Sequence, residues 1–169
     1  YKLAKMWAEA ASGFELLADC HLKSDARHDA ASAFVEAANA HKKISPDAAV
    51  RCLQIAVDHF VDMGRLSVAA KHLKDVADVR EKEDRFADAR DAYARAAELY
   101  DGEGNASTAN SCKLKCAELA GVLEEYQSAI DLFEEVANAA AGNNLLKFSC
   151  KGYPVSYTHL TLPTRDGGG

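Results

Sequence analysis

Proline is nearly absent from this chain: three residues in 169, at positions 46, 154 and 163, with none between the first two. Glycine is scarce too, ten residues of which three form the last three positions. Long stretches therefore carry neither of the two residues that most often interrupt a helix. A surplus of positive charge is also missing. The net charge of −6 argues against a general nucleic-acid binder, because affinity for a phosphate backbone rests on a basic excess. No apolar run approaches the roughly 18 residues that a membrane span needs. The five cysteines include no CxxC pair and no framework spacing, so we read Cys52, Cys112 and Cys116 as reduced thiols on apolar helix positions. No HExxH, GxSxG or phosphate-cradling glycine loop occurs, and nothing calls for a cofactor or a catalytic centre.

What the chain has in abundance is alanine, at a fixed spacing. Ala10, Ala30, Ala48, Ala69, Ala89, Ala109 and Ala129 recur at intervals of 20, 18, 21, 20, 20 and 20 residues. Eight positions after each stands another: Ala18, Ala38, Ala56, Ala77, Ala97, Ala117 and Ala137. The position before that second alanine is always apolar. The fourth position holds Phe14, Phe34, Cys52, Leu73, Tyr93, Lys113 and Phe133, bulky and apolar except for Lys113. Positions i, i+4, i+7 and i+8 share one stripe of a helix with 3.6 residues per turn. Each unit is thus one helix, and two units make a hairpin of about 40 residues, in the range of helical repeat proteins. A lone helix of this kind cannot bury its stripe, so its stability comes from stacking on neighbours.

Turn chemistry sets the boundaries. Ser45-Pro46-Asp47 offers an N-cap, a proline at the first helical position and an acidic first turn. Gly64, the pair Gly102 and Gly104, and Gly142-Asn143-Asn144 mark breaks. The spacing predicts helices near 2–23, 28–43, 46–63, 65–82, 84–101, 105–122 and 125–141, with an eighth starting near 144. The expected fold is all-α: a TPR-like α-solenoid of antiparallel helical hairpins in a right-handed superhelix, about seven to eight helices over residues 1–153. Residues 154–169 carry no stripe and are expected to be an irregular tail; they resemble translated adapter or vector sequence. The chain opens inside a helical pattern without a methionine, which points to an N-terminus further upstream.

The remaining candidates for chemistry are weak. His21, His41 and His59 fall in the last turns of three successive units, where a cation suits the helix dipole, and common repeat ancestry explains them better than a metal site. Paired carboxylates such as Glu124-Glu125 read as solvated helix faces. The surface is left to act. Arg65, Lys71, Lys74, Lys113, Lys115, Lys147 and Lys151 place positive charge across the middle and end of an otherwise acidic array. Converging on one face, they would suit an acidic helical partner.

These residues sit in segments that closely resemble the soluble NSF attachment proteins. The likeness includes Arg27-His28-Asp29-Ala30-Ala31, Asp62-Met63-Gly64-Arg65-Leu66, Val68-Ala69-Ala70-Lys71-His72 and Ser107-Thr108-Ala109-Asn110-Ser111-Cys112. It continues through Glu124-Glu125-Tyr126-Gln127-Ser128-Ala129 and Leu145-Leu146-Lys147-Phe148-Ser149, covering about residues 1–153. The resemblance implies a cytoplasmic adaptor of vesicle traffic, peripherally associated with membranes. Such a protein lies along the four-helix SNARE bundle, with its syntaxin-type strand, and recruits the ATPase NSF to pull the bundle apart. In the family a basic ridge contacts acidic SNARE residues. The matching positions are Arg65, Lys71, Lys115 and Lys151, with Leu145 as an apolar contact and Lys113 and Lys147 as neighbouring cations. One ridge lysine of the family aligns with Ser111, which weakens the expected grip. The family's membrane-touching N-terminal loop and its ATPase-stimulating C-terminus have no counterpart in this sequence. The resemblance therefore implies SNARE binding without NSF activation. The alternative reading is a TPR-like scaffold that holds an unrelated peptide or protein.

Overall fold

The computed structural model describes residues 2–147, and side chains as far as residue 143. Seven helices follow one another: α1 (Lys2–Lys23), α2 (Arg27–His41), α3 (Pro46–Asp62), α4 (Leu66–Lys82), α5 (Phe86–Gly102), α6 (Ala106–Val122) and α7 (Tyr126–Lys147). Among the described residues there is no strand. The chain divides into two compact units, Tyr1–Phe133 and Glu134–Gly169. The first holds α1 to α6 and the opening of α7; the described part of the second is the remainder of α7. In the first unit each helix from α1 to α5 packs on its successor, and three- or four-residue turns make the partners antiparallel. This is an all-α, TPR-like succession of hairpins.

The period has a backbone cause. Five of the six turns share one geometry, with a left-handed residue at Asp25, Gly64, Asp84, Gly104 or Glu124. The amide after it closes a six-residue ring onto the preceding helix. Examples are Arg65 N–H to the Phe60 carbonyl at 2.8 Å and Arg85 N–H to the Arg80 carbonyl at 2.9 Å. This is the Schellman helix stop. The residue completing it is also the N-cap of the next helix. Its carbonyl accepts the first helical hydrogen bond, from Ala30, Ala69, Ala89, Ala109 and Ala129 in turn. The recurring alanine is therefore the fourth residue of its helix, buried where the backbones of neighbouring helices approach closely.

The turn between α2 and α3 departs from this plan and shifts the register. Pro46 fixes the start of α3, Ser45 caps it through Oγ and the Ala48 amide, and no left-handed residue is used. Here Ala49, not Ala48, bonds to the N-cap carbonyl. The buried set of α3 accordingly runs through Ala49, Leu53, Ala56 and Val57, all at 0 %, whereas Ile55 is 41 % exposed. The spacing from Ala30 is 19 residues, and His59 does not share the place of His41. In α1 the buried pair is Ala11 and Ala18, with Ala10 only half-buried.

The expected break at Gly142-Asn143-Asn144 is absent, and with it the eighth helix near 144: α7 runs on to Lys147. One glycine and two asparagines cost roughly 1 kcal/mol apiece or less in helix propensity, and no proline enforces a stop. The tail at 154–169 lies outside the described residues.

Alanine dominates the core, and the larger fully buried side chains are few: Leu53, Val57 and Cys112. Phe34, Phe60, Tyr93 and Tyr100 fill the remaining gaps between helices. Tyr93 donates its hydroxyl to Asp78 at 2.6 Å, and burial together with that carboxylate pushes its pKa upward. Lys113 explains its own exception to the apolar pattern. Its stem occupies the bulky position while its ammonium pairs with Asp101 of α5 at 2.8 Å.

The turns supply a stability test. A side chain at φ near +60° costs about 1 kcal/mol relative to glycine. Glu124→Gly and Asp84→Gly are expected to raise the unfolding free energy read from urea denaturation, each by about 0.5–1 kcal/mol. Gly64→Ala and Gly104→Ala are expected to lower it by a similar amount. Nothing lies within 4 Å of the added Cβ at either glycine, so the loss is one of backbone conformation alone.

Candidate functional site

The even-numbered helices carry the candidate surface. Counting from the buried alanine of each, positions +2, +6 and +9 point roughly 180–240° away from it at 100° per residue. On α4 these are Lys71, Asp75 and Asp78; on α6 they are Ser111, Lys115 and Glu118. All are exposed except Asp75, which is half-buried. On α2 the same places hold Ser32, Glu36 and Asn39, without a cation. The basic positions thus begin at α4 and continue onto α6.

The two stripes feel one another's charge. The Lys115 ammonium is held up by its hydrogen bond to Glu118, at 3.1 Å, and then by Glu81 and Asp78 of α4. Both members of the Lys115–Glu118 pair are about half exposed, and a pair of that kind contributes at most about 1 kcal/mol, so a partner's carboxylate can replace Glu118. On α4, burial raises the pKa of Asp75, but the His72 hydrogen bond at 3.2 Å and the charges of Lys42, His72 and Lys71 outweigh it and leave the carboxyl below its ordinary range. Lys71 itself is exposed and forms no ion pair with a described residue.

Arg65 lies at the head of the same helix. Gly64, in the left-handed region, turns the chain there, and Arg65 is the N-cap of α4, exposed and without an ion pair among the described residues. Its backbone is fixed from a distance. Glu103, in the turn between α5 and α6, accepts the Leu66 amide at 3.1 Å and also the Ser67 hydroxyl. A carboxylate from the next hairpin thereby caps the helix that bears Arg65 and Lys71. Lys113, only 20 % exposed and paired with Asp101, is committed to the packing of α5 on α6. Leu145 and Lys147 belong to the end of α7, where side chains are not described. Lys151 lies outside the described residues.

Between α3, α4 and α5 several charged groups are tied to each other. A groove of about 320 Å³ between α3, α4 and α5 is edged by Gln54, Arg80, Arg85, Asp88, Asp91 and Arg95. Arg80 pairs with Asp47 at 2.6 Å and Glu83 at 2.8 Å, Arg85 with Asp47 and Asp88, and Arg95 with Asp58. The pairs to Asp47 and Asp58 join α3 to the α4–α5 hairpin. Among the described residues no helix is long and apolar enough to cross a membrane.

One cluster went unseen in the sequence. Glu15 of α1, His41 of α2 and Cys52 of α3 offer ligand atoms within 4.8 Å of one another. His41 Nε2 is 2.6 Å from Glu15 Oε1, and the Cys52 thiol donates to the same oxygen at 3.5 Å. Burial, then Glu15, pushes the Cys52 thiol up to about 11. The three residues lie 26 and 11 positions apart, and only the antiparallel packing of three helices joins them.

Comparison with known proteins addresses the resemblance directly. The family model described as "Soluble NSF attachment protein, SNAP" matches residues 1–167. The alpha-soluble NSF attachment protein of Mus musculus is 43% identical over 156 residues, covering 90% of this chain and 52% of that protein. The protein of the same name in Vitis vinifera is 38% identical over 153 residues, 90% of this chain and 53% of its own length. The "Probable vesicular-fusion protein sec17 homolog" of Schizosaccharomyces pombe is 41% identical over 154 residues, again 90% and 53%. These are names of attachment and fusion proteins, not of enzymes. The chain spans about half the length of the curated relatives it matches. With its helical hairpins on a period of about 20 residues per helix and this match along nearly all of its sequence, the chain belongs to the soluble NSF attachment protein family.

Proposed function

We propose that this chain is the cargo-holding part of an adaptor in vesicle traffic, which grips the assembled four-helix SNARE bundle, its syntaxin-type strand included. In the full-length protein the same array presents that bundle to the ATPase NSF, on the cytoplasmic side of the membrane. Arg65, Lys71 and Lys115 meet acidic side chains of the bundle, while Lys113, held by Asp101, shapes the surface from beneath. Leu145, Lys147 and Lys151 extend the contact toward the end of the array. The observation that carries this reading is the pair of exposed lysines on the outward stripes of α4 and α6, Lys71 and Lys115, with exposed Arg65 at the head of α4, in a member of the attachment protein family. The place of Ser111 on that stripe gives it one cation fewer.

Contacts between exposed charges are screened by salt, with a reach of about 10 Å at 0.1 M and about 3 Å at 1 M. Pulldown of purified SNARE bundle by the immobilised chain is therefore expected to succeed near 0.1 M salt and to disappear near 1 M. Binding that ignores salt, or capture of the separate SNARE strands as readily as of the bundle, overturns the proposal.

A further inference from the structure

We infer that Glu15, His41 and Cys52 form a binding site for a single zinc-class divalent cation, which clips α1 to α2 and α3. Three different helices deliver a carboxylate, an imidazole and a thiol to one point, all within 4.8 Å. The imidazole and the thiol both aim at one oxygen, Glu15 Oε1. The ligand set is chemically selective. A thiolate with an imidazole favours zinc and its borderline-soft neighbours over calcium or magnesium, which take oxygen ligands.

The two separations to Glu15 need little adjustment, and that between the imidazole and the thiol lies within 4.8 Å. Tetrahedral zinc, with bonds of about 2.0–2.3 Å, sets neighbouring ligand atoms roughly 3.3–3.6 Å apart. The sulfur–oxygen separation of 3.5 Å already meets this, and the 2.6 Å between His41 and Glu15 has to open by less than about 1 Å. Glu15 is on the solvent side, with 45% of its side chain exposed, so its movement is cheap and the path of entry is open. Water takes the fourth position. On binding, the Cys52 S–H bond breaks and a metal–sulfur bond forms. His41 Nε2 and Glu15 each gain a bond to the metal in place of the hydrogen bond between them; the thiol proton leaves to solvent, and the proton of that hydrogen bond leaves to solvent from a charged ring or, in a neutral one, is replaced by a proton on Nδ1. The second nitrogen of His41, Nδ1, is buried without a hydrogen-bond partner among the described residues, so the ring is committed to this cluster alone.

The clip sits on a helix with little buried apolar surface of its own. Helix α1 spans 22 residues yet buries only Ala11 and Ala18, and Leu3, Met6, Leu16 and Leu17 are exposed on it. A metal bond to α2 and α3 fastens a helix that apolar burial holds weakly.

The test uses the full 169-residue chain under a phosphine reductant, in a Cys20→Ser, Cys150→Ser background that leaves Cys52, Cys112 and Cys116 as its thiols. Titration with Co²⁺ is expected to give a thiolate-to-cobalt charge-transfer band and tetrahedral ligand-field bands. Both should saturate at one cobalt per chain and be bleached by Zn²⁺. Cys52→Ser should abolish the charge-transfer band; serine nearly preserves the volume, and Glu15→Gln, on the half-exposed residue, covers the case of a misfolded Cys52 variant. Glu15→Gln and His41→Gln should each weaken cobalt binding by more than the roughly 10–100-fold that loss of an outer-shell partner costs. Zn²⁺ should also slow amide exchange in α1 of the parent and not of Glu15→Gln. Absence of the charge-transfer band, its survival in Cys52→Ser, or an octahedral spectrum without thiolate character overturns the site and leaves a hydrogen-bonded Glu15–His41 pair.

Discussion

Replacing Lys71 and Lys115 together by glutamate is expected to lower affinity for the SNARE bundle at least about 100-fold, which is close to 2.8 kcal/mol at 1.4 kcal/mol per decade. Each change removes an attraction and installs a repulsion against the same acidic partner, and like charges set against each other across an interface cost several kcal/mol. The fold should tolerate the pair of changes, since both side chains are exposed. Lys115→Glu does carry a local cost, because the new carboxylate faces Glu118, Asp78 and Glu81. Lys115→Gln removes the charge without that repulsion and should lose about tenfold. Ser111→Lys should move affinity the other way, by adding a cation to the stripe between Lys71 and Lys115. Titration calorimetry near 0.1 M salt, with circular dichroism to verify helicity, measures each. Unchanged affinity in the double variant would remove Lys71 and Lys115 from the proposed contact.

The sequence carried the fold further than it carried the site, and particular residues explain the difference. Helix type and number follow from a local signal, because the recurring alanine is the fourth residue of each helix and the turn before it is nearly constant. Asp25, Asp84 and Glu124 adopt the same left-handed stop as Gly64 and Gly104, so glycine marked only two of five turns built alike. Lys113 looked like a flaw in the apolar pattern, and its partner Asp101 stands twelve residues earlier, on the other arm of the hairpin. The cap that Glu103 places on α4 spans 36 or 37 positions, and no spacing rule reaches that far. Glu15, His41 and Cys52 were hidden for the same reason. The place of His41 within its own helix carries no sign of its neighbours, which belong to the two helices packed beside it.

Leu53→Ala is expected to be among the costliest single truncations in the chain, and it tests the register of α3. Leu53 is fully buried beside Ala49, Ala56 and Val57, whereas Ile55, two positions on, is 41 % exposed. A strict alanine period puts Cys52 and Ile55 on the packed stripe and turns Leu53 away from its centre. The turn at Ser45-Pro46 rotates α3 by one residue and reverses the roles of Leu53 and Ile55. Removing a buried leucine costs about 2–5 kcal/mol, from lost transfer energy and from the cavity left behind. An alanine-rich core has few flexible side chains able to collapse into that space, which favours the upper part of the range. For a chain of this size, about 2–4 °C accompany each kcal/mol, so the melting temperature should fall by roughly 7–20 °C. Ile55→Ala should cost less than about 1 kcal/mol, since much of its side chain remains in water in the folded state. Thermal and urea unfolding of the two variants side by side separates the alternatives. A loss for Ile55→Ala as large as that for Leu53→Ala would return α3 to the unbroken period and leave Ser45-Pro46 without effect on the register.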